Sequence, residues 1–166
     1  MLIRVPSLLQ ITRRLCACRK GNTAIEFGLT APLLVLLAFG AFDYGSAYVE
    51  GVRLNGAARA GAQQALYNSQ DWQDTAQMEQ LALEEYVGHP LTQPEIDAMS
   101  VSATANAFCA CTAGVTLACT DTCPGGVSPG QFVRVTLNRD VPLTLPYPWS
   151  SNGEVAVDGQ AVVRVR

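Results

Sequence analysis

Residues 19–67 read RKGNTAIEFGLTAPLLVLLAFGAFDYGSAYVEGVRLNGAARAGAQQALY. No charged side chain occurs between Phe27 and Phe42, and the apolar run extends to Val49 if Asp43 is tolerated near its far end. A helix needs about 20 mostly apolar residues to cross a hydrocarbon core of about 30 Å. Phe27–Val49 meets that length and is expected to span a membrane. Pro32 removes one backbone hydrogen bond inside the stretch, which membrane helices tolerate. A helix buried in a soluble core is the alternative, but it gives no cause for the charge bias around the stretch.

That bias is sharp. Arg4, Arg13, Arg14, Arg19 and Lys20 precede Gly21, and no acid does. Of the eleven basic residues, six therefore remain after Gly21 against all fourteen acids, a formal balance of −8. Positive charge flanks the cytoplasmic end of a membrane helix. Residues 1–21 are thus expected in the cytoplasm and the chain beyond Val49 outside it. An acidic body behind a basic head argues against nucleic acid as a partner and for a membrane.

The pattern predicts an α+β fold in three parts. A basic leader covers 1–21. A transmembrane and juxtamembrane helix covers 22–67. An exported domain, 68–166, holds a second helix and a small antiparallel sheet. After Val49, Val52, Leu54, Ala58, Ala62 and Ala65 are candidates for a packing side. Gly51, Gly56 and Gly61 either allow another helix to approach closely or are simply solvated. A second helix is expected from Asp71 to Val87, with Asp71 and Asp74 near its positive end and Met78, Leu81, Leu83 and Tyr86 as apolar contacts. Gly88-His89-Pro90 closes it. His89, the only histidine, reads as a turn residue.

Alternation predicts strands around Val133–Leu137 and Val155–Val165, with a weaker one over Met99–Ala105. Pro142, Pro146 and Pro148 punctuate the connection between the stronger two. Asn152-Gly153 and Asp158-Gly159 read as turns. The second helix is expected to cover this sheet.

Cys109, Cys111, Cys119 and Cys123 cluster within CACTAGVTLACTDTC. Zinc is one reading, but structural zinc sites favour wider spacing than the leading C-x-C. Export to an oxidising compartment favours two disulfides, with three connectivities open. Cys16 and Cys18 lie in the leader. Their L-C-A-C faintly resembles a lipoprotein site, but Arg13 and Arg14 stand where an apolar stretch is required.

No residue set suggests catalysis. The lone histidine has no serine or cysteine in evident register to activate, and no glycine-rich phosphate loop precedes a helix. The chain is not expected to be an enzyme or to need a metal or cofactor.

Gly21 is followed by Asn22-Thr23-Ala24-Ile25-Glu26-Phe27. A carboxylate at the edge of a membrane segment is costly unless partnered. The next basic residue along the helix is Arg53. A basic-Gly junction, four residues, Glu-Phe and an apolar helix resemble the processing site of type IV prepilins. The longer string, with Gly21, Ala24, Glu26, Phe27, Pro32, Phe39-Gly40 and Ala57-Ala58-Arg59-Ala60-Gly61-Ala62, resembles the TadE-like proteins of the tight-adherence, Flp-type pilus system over residues 19–63.

The resemblance implies a bacterial minor pilin or pseudopilin. A prepilin peptidase would cut between Gly21 and Asn22. The mature helix would sit in the inner membrane with a periplasmic domain, and Glu26 with Phe27 would set register in assembly. Other pilins and the pilus assembly platform are the implied partners. The alternatives are an ordinary signal peptide, cut near Gly40 or Ala47, and a signal-anchored periplasmic binding module.

Overall fold

Helix-compatible sequence, broken only by a proline that membrane helices accommodate, produces one long helix. In the computed structural model, which describes residues 22–166 except 69, 112–114, 146, 149 and 151, α1 runs Asn22–Tyr67 with Pro32 inside it. The leader, with Cys16, Cys18 and Gly21, lies outside the described residues. α1 is shared by two compact units, the first ending at Phe42 and the second running Asp43–Arg166.

In the first unit nearly every apolar side chain from Ile25 to Phe42 is exposed, around the whole circumference of the helix. A helix apolar on every side is stable in lipid or inside a larger core. Thr23–Phe42 gives twenty residues, about 30 Å of helix. It opens the one candidate membrane-spanning helix among the described residues, Thr23–Tyr67.

At Asp43 the pattern becomes one-sided. Asp43, Glu50, Leu54, Ala57, Ala58, Gly61, Ala62 and Ala65 are buried, and Ser46, Ala47 and Gly51 are half-buried. These positions share one helical face. Asp43, inside the Phe27–Val49 stretch read from sequence, is 3% exposed and belongs to the second unit. Residues 43–67, grouped by the sequence with the membrane helix, pack in that unit. Val52 points away from the packing face and is 56% exposed, because two residues of helix turn a side chain by about 200° relative to Leu54.

α2 spans Thr75–Val87, later than the expected Asp71. Asp74 is its N-cap, accepting from the Gln77 N–H at 3.2 Å, while Asp71 sits in the preceding turn. Gly88, at φ +87°, ends the helix in the left-handed region that glycine favours. A short α3, Gln93–Asp97, was not anticipated. There Glu95 accepts from the Thr92 N–H and hydroxyl at 2.8 and 2.7 Å, a capping-box arrangement.

Four antiparallel strands follow: β1 Val101–Ala110, β2 Thr116–Leu117, β3 Gly130–Pro142 and β4 Glu154–Arg164, in the order β2-β1-β3-β4. Asn152 and Gly153, both at positive φ, make the turn that feeds β4. Asp158-Gly159 is no turn and lies inside β4. Glycine there serves close approach: a Cβ on Gly159 would stand 2.3 Å from the Leu54 carbonyl carbon and 2.5 Å from Asn55 N.

The inner sheet face presents Val133, Val135, Leu137, Val101, Ala105 and Ala161 to Leu54, Ala58 and Ala62 of α1 and to Met78, Ala82 and Leu83 of α2, with Trp72 closing one side. Two helices, and not α2 alone, cover the sheet. Each fully buried Leu, Met or Val side chain contributes about 1.5–3 kcal/mol. Gly61 is the close-approach glycine between helices, since a Cβ there would meet Met78 O at 2.7 Å. Gly56 faces open space.

Both open sheet edges meet a helix side chain. The Ala105 N–H of β1 donates to Glu79 Oε1 at 2.7 Å, and the Gln160 N–H of β4 donates to Asn55 Oδ1 at 3.2 Å. Covering outward-facing donors is one way a sheet edge is kept from pairing with another chain.

Candidate functional site

The segment singled out by sequence occupies the start of the described helix. Glu26 and Phe27 are exposed in the first unit, and Gly28 beside them has nothing within 4 Å of where a Cβ would be. The Thr30 hydroxyl donates to the carbonyls of Glu26 and Phe27, at 3.0 and 3.3 Å. Such back-bonding satisfies a polar side chain without leaving the helix. Asn22 opens α1, and Gly21 is outside the described residues. The structure thus gathers Glu26 and Phe27 on an exposed apolar helix that offers its whole surface to lipid or to another helix.

In the second unit, two acids on the packing face of α1 hold the β3–β4 connection and β3 itself, and the sequence reading assigned neither this task. Asp43 accepts from the backbone N–H of Thr144 and Leu145, at 3.0 and 3.3 Å, and from the Tyr147 hydroxyl at 3.1 Å. Glu50, two turns on, pairs with Arg139 of β3 at 2.7 Å and accepts from the Tyr86 hydroxyl of α2. Arg139 also donates to the Tyr86 oxygen and lies over its ring.

One carboxylate therefore ties together α1, α2 and β3. Burial, then the hydrogen bond to Glu50, pushes the Tyr86 phenol above its usual range. The hydrogen bond to Glu50 raises the Arg139 guanidinium further. Burial, then Asp43, raises Tyr147. The seven-residue spacing of Asp43 and Glu50, in phase with Leu54, Ala57 and Ala58, was the available signal. An acid in phase with an apolar stripe has a partner across the core.

The four clustered cysteines form the disulfides Cys109–Cys119 and Cys111–Cys123. They close loops at the end of β1, where Cys111 N also donates to Val115 O and Cys123 pairs with Val127. Cys109 is buried and anchors the loops to the core. His89 is exposed in the turn after α2, its ring nitrogen 3.0 Å from the Pro90 carbonyl oxygen.

An all-round apolar helix joined to an α+β unit stapled by two disulfides defines an architecture with a single candidate membrane span among the described residues. Residues 21–63 match the family described as TadE-like protein, a match that begins at Gly21, includes Glu26, Phe27, Asp43 and Glu50, and stops before the sheet. No curated protein and no solved structure matches the chain.

Proposed function

We propose that the chain is a minor pilin or pseudopilin that acts in assembly of a Flp-type pilus, processed between Gly21 and Asn22 by a prepilin-type peptidase. The observation that carries this reading is the TadE-like match over residues 21–63, which opens on the Gly21 junction and runs along an apolar helix exposed on all sides. After processing, Thr23–Phe42 stays in the bacterial inner membrane and Asp43–Arg166 lies in the periplasm. The two disulfides and the basic leader support that orientation. A folded unit of this size favours a minor or assembly role over that of a short major fibre subunit. Glu26 pairs with the new amine of a neighbouring subunit's Asn22, which fixes axial register, while Phe27 packs beside it. The partners are the peptidase, other pilins and the assembly platform; none of this calls for an enzymatic role.

A signal-peptide cut near Ala47, though not one near Gly40, is disfavoured by Asp43. A cut after Ala47 would discard the carboxylate that holds Thr144, Leu145 and Tyr147. The test is replacement of Gly21 by a bulky residue, with the mass of the membrane-bound product compared with that of the parent. Loss of the shorter product supports the proposal. An unchanged mature mass removes it.

A further inference from the structure

The outer sheet face is built from the residues that alternate with the core: Thr104 and Asn106 of β1; Phe132, Arg134, Thr136, Asn138 and Asp140 of β3; and alternate residues of β4 from Glu154 to Arg164. Its charges are sorted by end. Arg134 and Arg164, with Arg166 just beyond, occupy the end next to the disulfides. Asp140, Asp158 and Glu154 occupy the other. Within the basic end, Phe108 and Phe132 stack, with ring centroids 5.6 Å apart, and Arg134 and Arg164 lie over them. That contact holds the guanidinium groups in place. Among the described residues the only ion pair is Arg139–Glu50, so none of these six side chains is in an ion pair within the second unit, while Arg164 Nε donates to the Arg166 main-chain oxygen at 3.0 Å. Asp121, in the disulfide loop, is the one acid in the chain segment from Val101 to Arg134.

The register makes this arrangement self-complementary. Thr136 faces Gln160 across β3 and β4, and this row is the centre of the face. A second sheet laid over the first with its strands reversed, about a twofold axis along that row, puts equal offsets opposite each other. Arg164, four residues after Gln160, falls opposite Ala156, four before it, and therefore between Asp158 and Glu154 of the other copy. Arg166 falls opposite Glu154. Arg134 falls opposite Asn138, one outward position from Asp140. The middle rows, Thr104, Thr136, Gln160, Asn106 and Asn138, are short or medium polar side chains suited to sheets packed about 10 Å apart. Three strands of about ten residues offer roughly 500–700 Å² per copy. A pair then buries about 1,000–1,400 Å², the low end for a specific interface.

We infer that the outer face of the sheet binds a second copy of this chain, face to face, with the basic end of each copy on the acidic end of the other. The pairing is isologous, since the same patch serves both partners. It goes beyond the pilus reading and depends on no step of leader processing.

The experiment uses the full-length chain in detergent, with sedimentation to measure dimer content over a range of concentration and salt. Two variants are made, Arg134→Glu with Arg164→Glu, and Asp140→Arg with Asp158→Arg. Each is expected to raise the dimer dissociation constant at least about tenfold, because both ends of its face then carry a net charge of one sign. An equimolar mixture of the two is expected to recover the dimer, which also shows that both variants fold. Raising salt is expected to weaken the wild-type pair, as exposed charges are screened. The inference is overturned by a wild type that stays monomeric, by a dimer indifferent to both variants, as pairing through the apolar helix would give, or by a mixture that fails to associate.

Discussion

The packing of β4 on α1 sets a steep requirement at one position, Gly159. Replacing it with alanine adds a Cβ 2.3 Å from the Leu54 carbonyl carbon, 2.5 Å from Asn55 N and 2.6 Å from Leu54 Cβ. Two of the three contacts are backbone atoms of a helix, so no side-chain rotation relieves them. Strand and helix must part by about 1 Å, at the expense of the layer formed by Leu54, Leu137 and Ala161. Overpacking of this kind costs about 1–3 kcal/mol, and unyielding backbone puts Gly159→Ala at the upper end, about 2–3 kcal/mol. For a unit of this size that is a fall in melting temperature of roughly 5–12 °C.

Gly56 is the control, since nothing lies within 4 Å of its Cβ position and it is exposed in mid-helix. Gly56→Ala is expected to stabilise by about 0.8–1 kcal/mol through helix propensity alone. Thermal unfolding of the full-length chain in detergent, followed by tryptophan fluorescence with Trp72 in the core, measures both. Opposite signs are expected. A Gly159→Ala protein as stable as the parent, or a Gly56→Ala protein weakened as much as Gly159→Ala, would refute the packing argument.

Arg139→Ala should destabilise by about 1–2 kcal/mol in the same assay. That is below the cost of breaking a fully buried pair, because the Arg139 side chain is 32% exposed. The raised Tyr86 pKa means that the folded state holds the phenol proton more tightly than the unfolded chain does. Its contribution is complete below about pH 10 and is lost as pH rises through the folded value; Tyr86→Phe should remove that alkaline loss, read as the pH dependence of the guanidinium midpoint. Alkylation of the unreduced full-length chain should leave Cys109, Cys111, Cys119 and Cys123 unlabelled, and reduction should lower the melting temperature, since each bridge contributes about 2–4 kcal/mol. Glu26→Gln should leave cleavage and abundance normal but reduce co-purification with other pilins and surface piliation. Wild-type piliation in that mutant would remove the proposed role of Glu26.

Much of the fold was written in local pattern. Alternation over Val133–Leu137 and Ala161–Val165 marked β3 and β4, and the Leu-rich run marked the apolar helix, because burial on one face leaves a period in the sequence and an apolar surface on every side leaves an unbroken apolar run. The failures came where a residue's partner lies far along the chain. Asp43 looked like a tolerated polar residue near a membrane boundary, whereas its partners are about a hundred positions away, at Thr144 and Leu145. Asp158-Gly159 has the local chemistry of a turn, yet Gly159 is needed where a strand crosses a helix. The Asp43–Glu50 pair was legible only in part: its phase with Leu54 was visible, but Arg139 and Tyr86 as partners were not. Trp72, absent from the expected contacts, is buried in the turn before α2.

We propose that Gly21 is a processing junction and that the folded unit is carried by the helix beginning at Asn22. Determining the amino-terminal residue of the mature, membrane-extracted chain tests it most directly. Asn22 is the expected residue. A terminus at Met1, or at a residue past Gly40, would contradict it.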